Sequence, residues 1–367
     1  MGQTRLSSQI KAFRHNFVNG PDACAYFQGT VQILITMKKR RLLMFGFLGI
    51  ILVFHGYTIV IGQTKPVLVV LNKDDATLAI IDPVEMKLTA KVPTGTGPHE
   101  GVLSVDGTTA YVANYGAQTP GNSISVIDIQ TAKELRRVDI SPLLRPHGLH
   151  LIGGQLYFTA EANRAIARYE PAANKIDWIM GTGQNGSHMV VGTADQKKFY
   201  TANIGSDSVS AIELPPLAPG RRPVTHIPVG KQPEAIDLSP DGKEVWVGLN
   251  AEGMAEVVDV VGYKSATKIN IGGRPYRVKF TPDGKSVVCT MIVTKELLII
   301  DTVTRIEIKR IKLESTPLGL AFSADGKTAF VSAVGPDLVL KVDLTSGKVL
   351  GRVETGKVPD GIAVAGI

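Results

Sequence analysis

From residue 66 onward the chain is built of short apolar runs, such as Val67 to Leu71, Ala110 to Ala113, Leu156 to Ala160 and Phe199 to Ala202, separated by polar turn residues. Runs of this length, with alternating flanks and many β-branched and aromatic residues, predict β-strands rather than helices. Asp106-Gly107, Asp241-Gly242, Asp283-Gly284 and Asp325-Gly326 each sit between two such runs, with Gly153-Gly154 and Asp195-Gln196 as looser copies. Asp-Gly at that place predicts a tight hairpin, because glycine accepts the positive φ the turn needs. The next strand ends in an acid (Asp82, Asp128, Glu170, Glu213, Asp259, Asp301 or Asp343) that is expected to accept turn N–H groups. A short fourth run completes the unit.

The unit recurs with a period of about 42 residues and has four strands, which predicts an all-β, seven-bladed β-propeller with four-stranded blades. Each unit opens with a proline and one variable residue: Pro98-His99, Pro146-His147, Pro233-Glu234, Pro275-Tyr276, Pro317-Leu318 and Pro359-Asp360, with Ser187-His188 as a copy lacking the proline. The predicted blades are centred on 66–95 plus 359–367, 97–140, 145–183, 186–230, 232–273, 274–313 and 316–356. An open solenoid would need capping repeats. Here the segment from Val67 reads as a second strand without an inner strand, and the segment after Asp360 reads as an inner strand without a second. The C-terminal strand is therefore expected to close the first blade and remove the free sheet edges.

Closure turns the variable positions into a circle: Asp360, His99, His147, His188, Glu234, Tyr276, Leu318. Inner strands start at one mouth of the central channel, beside the ends of the second strands. The candidate ligand-binding set is thus His99, His147, His188, Glu161, Glu234, Tyr276, Asp360, Asn114 and Asn203. Three of the five histidines beyond the leader fall on the seven ring positions. Three imidazoles with carboxylates suit a divalent metal, which makes His99, His147 and His188 candidate metal ligands. An imidazole beside a carboxylate is also an acid–base pair. His150, three residues after His147, is expected to point away from that face, and Cys289 reads as a buried small hydrophobe.

Tyr111-Val112-Ala113-Asn114, the following Asn122 to Asp128, and Pro240-Asp241-Gly242-Lys243 resemble the YVTN-repeat propellers of the YncE-like group, over residues 66 to 367. The resemblance implies the propeller fold and leaves the activity open, because propellers host many functions. Pro146-His147-Gly148-Leu149 is similar to strand starts of streptogramin-type lyases, which with propeller lactonases use the channel face. The main expectation is a non-enzymatic propeller binding a small molecule or peptide at the channel mouth. The alternative is a metal-dependent hydrolase or lyase on the same ring.

Charge and composition narrow the partners. The net charge of +7 is concentrated in residues 1–63, which hold seven basic residues against Asp22; the remainder carries 33 basic and 32 acidic residues. A near-neutral propeller is not steered to nucleic acid, so the single-stranded DNA role known among YncE-like propellers is disfavoured. Met37-Lys38-Lys39-Arg40-Arg41 precedes the apolar run Leu42 to Ile61. Residues 37–63 therefore read as a secretory signal, or as an uncleaved membrane anchor that would provide the chain's sole membrane contact. Residues 1–36 carry no clear pattern. Either reading places the propeller, residues 64–367, outside the cytoplasm, periplasmic or secreted. The Pro-rich stretch Leu214 to Pro223 predicts a stiff connecting loop.

Overall fold

The computed structural model describes residues 65–215 and 223–367. The expected signal or anchor and most of the Pro-rich loop lie outside the described residues. Seven four-stranded antiparallel sheets follow one another along the chain, nearly all of the secondary structure being strand. The first blade joins the C-terminal strand Pro359–Ala365 to Val67–Asn72, with Leu68 opposite Val364 and Val70 opposite Ile362. Ring closure by the chain's last strand is therefore as the repeat register predicts.

The core lies between blades. Within Val67–Asn72, Val67, Val69 and Leu71 pack on Ala110, Val112 and Ile127 of the second blade, while Leu68 and Val70 pack on Phe330 and Val339 of the seventh. Side chains alternate across a strand, and here both faces meet a neighbouring blade, which is why the middle strands read as continuous apolar runs. One apolar cluster fills each of the seven junctions between neighbouring blades. Fully burying each such side chain contributes roughly 1.5–3 kcal/mol. Outer strands such as Lys87–Pro93 bury one face only and carry the charges.

The turns follow the sequence pattern. Gly107, Gly242, Gly284 and Gly326 take φ of +69° to +70°. The preceding Asp106, Asp241, Asp283 and Asp325 accept backbone N–H groups at 3.0–3.1 Å. At the same end of the blade, in the turns after the third strands, Asp82, Asp128, Asp301 and Asp343 accept turn N–H groups at 2.6–2.8 Å. These carboxylates are consumed by structure. Cys289 is buried and free, with its thiol pushed up to about 12 by burial. Among the described residues no helix is long and apolar enough to cross a membrane.

Candidate functional site

Each inner strand begins at the predicted Pro, or at Ser187 and Thr316 in the two variant blades, so the variable residues stand together at one mouth of the channel. Their placement is fixed by a relay absent from the sequence reading. The N–H of Gly148 donates to Thr159 Oγ1 at 2.9 Å, and that hydroxyl donates to the carbonyl of His188 in the next blade at 2.6 Å. Arg277 N, Thr290 Oγ1 and the Leu318 carbonyl repeat the relay at 3.0 and 2.8 Å. Gly319 N, Ser332 Oγ and the Asp360 carbonyl do so at 2.8 and 2.6 Å. The inner strands approach closely: a Cβ on Gly319 would stand 2.2 Å from the Asp360 carbonyl oxygen, and one on Gly148 2.7 Å from that of His188. At these two positions only glycine allows that approach.

The three histidines form one stack. His99 and His147 ring centroids are 5.1 Å apart, and those of His147 and His188 are 3.7 Å apart at an interplanar angle of 34°. Tyr115 caps the stack, 4.6 Å from His99 and edge-on to His147 at 5.4 Å. Arg145 lies over the outer side of Tyr115 at 4.7 Å and donates to the Ala117 carbonyl at 3.1 Å. Glu161 lies against both Tyr115 and His188, with its Oε2 3.2 Å from His188 Nδ1. It is held by the single turn Glu161–Asn163, whose first N–H reaches the Arg145 carbonyl at 3.0 Å.

Burial decides the protonation of this stack. His99 is lowered to about 4, first by burial and then by the Lys73 ammonium, against the pull of the Gly97 carbonyl on its Nδ1 at 2.9 Å. His147 is buried and lowered well below 6.5, by burial first and then by its imidazole neighbours. Its Nδ1 is buried and has no hydrogen-bond partner among the described residues. Burial pushes Glu161 up, but hydrogen bonds from His188 and Tyr115 and the Arg145 charge outweigh it, leaving the carboxyl below its usual range. At neutral pH the middle of the stack is thus two neutral imidazoles, one with an unused polar atom.

The other side of the ring is a charge network. Asp360 is fully buried and accepts from the Tyr276 hydroxyl on both oxygens, at 3.0 and 2.8 Å. Lys73 stands 3.4 Å from its Oδ2, and Arg277 3.5 Å from its Oδ1. Arg277 also pairs with Glu100 and lies over the Tyr276 ring at 4.5 Å. Burial raises the Glu100 carboxyl against the pull of Arg277, and burial beside Asp360 raises the Tyr276 hydroxyl well above 10. Glu234 is engaged by the Asn250 amide, with Arg274 4.0 Å away. Leu318 is buried and apolar.

Most predicted residues therefore meet, and two do not. Asn114 gives its Oδ1 to Gly95 N at 2.9 Å and its amide N–H groups to Ser123 and Ser125. Asn203 is held likewise by Ser187, Thr201, Ser208 and Ser210. Both tie their own blades together and have no polar atom to spare for a ligand. A resident divalent metal does not fit either: among the described residues no group of three or more His, Cys, Asp or Glu side chains is arranged to hold one. The physical reason is that the imidazoles pack against one another with their planes tilted by 34° and 58°, and the Nδ1 atoms of His188 and His99 are turned to Glu161 and Gly97.

Sequence reasoning missed Lys73, Tyr115 and Arg277. A signal for Arg277 was present. The residue after the ring position runs Gly361, Glu100, Gly148, Met189, Ala235, Arg277, Gly319, so its only two charged members are of opposite sign. Lys73 and Tyr115 occupy the same repeat position as Glu161, one residue past the strand residue that pairs with the inner-strand Pro, and each donates its N–H to the residue before that Pro.

Solved structures share this architecture. A functionally unknown protein from Desulfotomaculum acetoxidans is 12% identical with a TM-score of 0.69, the match covering 82% of this chain and 98% of that one. Dihydro-heme d1 dehydrogenase NirN is 15% identical with a TM-score of 0.58, covering 82% and 75%. Hydrazine synthase of Kuenenia stuttgartiensis is 19% identical with a TM-score of 0.58, covering 84% and 99%. At such identities the likeness concerns the fold. Among curated proteins no sequence match was found. The family described as YNCE-like beta-propeller matches residues 58–365, and the chain belongs to it.

Proposed function

We propose that this YncE-like propeller is exported and binds a small molecule or peptide at the ring mouth of its channel. The stack of His99, His147 and His188 with Tyr115 and Glu161 forms one wall; Lys73, Asp360, Tyr276 and Arg277 form the other. The observation that carries the reading is the buried Nδ1 of His147, without a partner among the described residues, beside His99, both imidazoles being held neutral by burial. A buried polar atom left unpaired costs about 1–3 kcal/mol, and a bound hydrogen-bonding ligand is what recovers that loss. Aromatic faces beside convergent polar groups suit a ligand with a flat or unsaturated part.

The test is a thermal-shift panel of dipeptides, sugars, organic acids and heteroaromatic compounds on the full chain and on His147→Ala. A ligand at 100 times its Kd stabilises by about 2.7 kcal/mol, so binders raise Tm in the wild type and not in the variant. No binder, or equal shifts in both proteins, contradicts the reading. Export rests on the basic residues and apolar run of 37–63. A fusion of alkaline phosphatase after residue 63 is expected to be active, and inactive when 37–63 is removed.

A second reading is favoured by the His188–Glu161 contact at 3.2 Å. A carboxylate that orients an imidazole makes it a general base, which suits a lyase or hydrolase acting on the same ligand. Turnover of any compound from the panel that is lost in His188→Gln, with binding kept, would decide for it.

A further inference from the structure

Beneath the ring the channel is a separate cavity of about 560 Å³. It is bounded at the ring end by Glu100 and Arg277 and reaches Ser104, Val105 and Pro282 at the hairpin turns, so it opens on the opposite face. None of the seven ring residues lines it. Its wall has a second tier of side chains, four residues along each inner strand from its opening Pro or Ser187: Ala363, Val102, His150, Val191, Asp237, Lys279 and Ala321. Three of these seven are ionisable, and they fall within four consecutive blades. The remainder are small or apolar, backed by Leu320, Phe322 and Ile362.

The polar members are not equivalent. Asp237 is used up, accepting Phe280 N at 2.8 Å and its own Leu238 N at 3.0 Å, and burial raises its carboxyl. His150 packs edge-on against Phe199 and is lowered to about 4 by burial, so it is neutral at physiological pH. Lys279 faces both electrostatically and also feels Glu100, yet its ammonium makes no hydrogen bond or ion pair with any described residue. An ammonium without a hydrogen-bonded or ion-paired partner among the described residues, in a concave wall that mixes charged groups with apolar side chains, attracts an anion whose other end is apolar.

We infer that the channel is a second ligand site, entered from the face opposite the ring, which takes a small carboxylate with an apolar body, its carboxylate on Lys279 and its chain against Ala321, Ala363 and Ile362. The volume accommodates such a molecule within the usual range for ligand pockets, roughly 300–1,000 Å³. The reading is independent of what the ring binds.

Octanoate serves as the probe, titrated calorimetrically into the full chain at neutral pH, with 1-octanol as the uncharged control. Saturable binding of octanoate is expected, weakened about tenfold or more in Lys279→Met and kept within about threefold in Lys279→Arg, with octanol insensitive to both changes. Methyl NMR of the unmodified chain provides a readout that needs no variant: octanoate should shift Val102, Val191, Leu320 and Ile362. Absence of saturable binding, equal affinity in Lys279→Met, or shifts confined to residues around His147 and Tyr115 would overturn the proposal.

Discussion

The imidazoles of His147 and His188 lie with centroids 3.7 Å apart and planes tilted by 34°, contributed by neighbouring blades whose inner strands are joined through Thr159. Protonating both would set two positive charges side by side in a buried site, and burial keeps His147 neutral.

Stability is expected to fall as pH drops from about 6.5 toward about 4. His99, His147 and His150 all have folded-state pKa values below the unfolded value of 6.5. The unfolded chain therefore binds protons first, and stability present above pH 6.5 is lost on acidification through the folded pKa values. Each fully shifted group contributes a slope of about 1.4 kcal/mol per pH unit. Urea unfolding at pH 7 and pH 5 measures this, and His99→Gln with His147→Gln should flatten the dependence. An unchanged slope would show that the imidazoles are not buried as described.

The Thr159 relay should be worth more than its single hydroxyl suggests. Thr159→Val keeps the shape, removes both hydrogen bonds, and leaves Gly148 N–H and the His188 carbonyl without their partner. A loss of about 1–3 kcal/mol is expected by chemical denaturation, together with weaker ligand binding at the ring. Ser332→Ala should act likewise on Asp360, whereas Thr131→Val, in an exposed outer turn, should cost less.

Arg277 holds two buried carboxyl groups, Glu100 and Asp360. Arg277→Met is expected to destabilise by about 3–5 kcal/mol, because it strands buried acids rather than because it loses a contact. Adding Glu100→Gln should recover part of that loss, and denaturation of the single and double variants gives the coupling directly. Additive effects would contradict the pairing.

Legibility in the sequence followed the physics that each feature depends on. The blades were readable because strand period, Asp-Gly turns and the acids before outer turns are local, and each recurs in several copies. Ring closure followed from where the apolar runs begin and end. The ring's circular order was readable for the same reason. What it does chemically was not. Whether three imidazoles converge by their nitrogens or pack against one another with tilted planes depends on rotamers and on Glu161 and Gly97, which come from outside the repeat position. Asn114 and Asn203 stood at the right register, yet their amides are consumed by serines and a glycine N–H across the blade. Arg277 was the instructive omission, since its charge and that of Glu100 are the only two at that position around the circle.

The most direct measurement is a titration of the ¹⁵N-histidine-labelled full chain with each compound that raises Tm, followed by NMR. The account predicts that the His147 and His188 ring nitrogens shift with saturation while His226, whose Nδ1 faces Ser210 on an outer strand, stays fixed. Saturable binding that leaves His147 and His188 unmoved would contradict a ligand site at the ring.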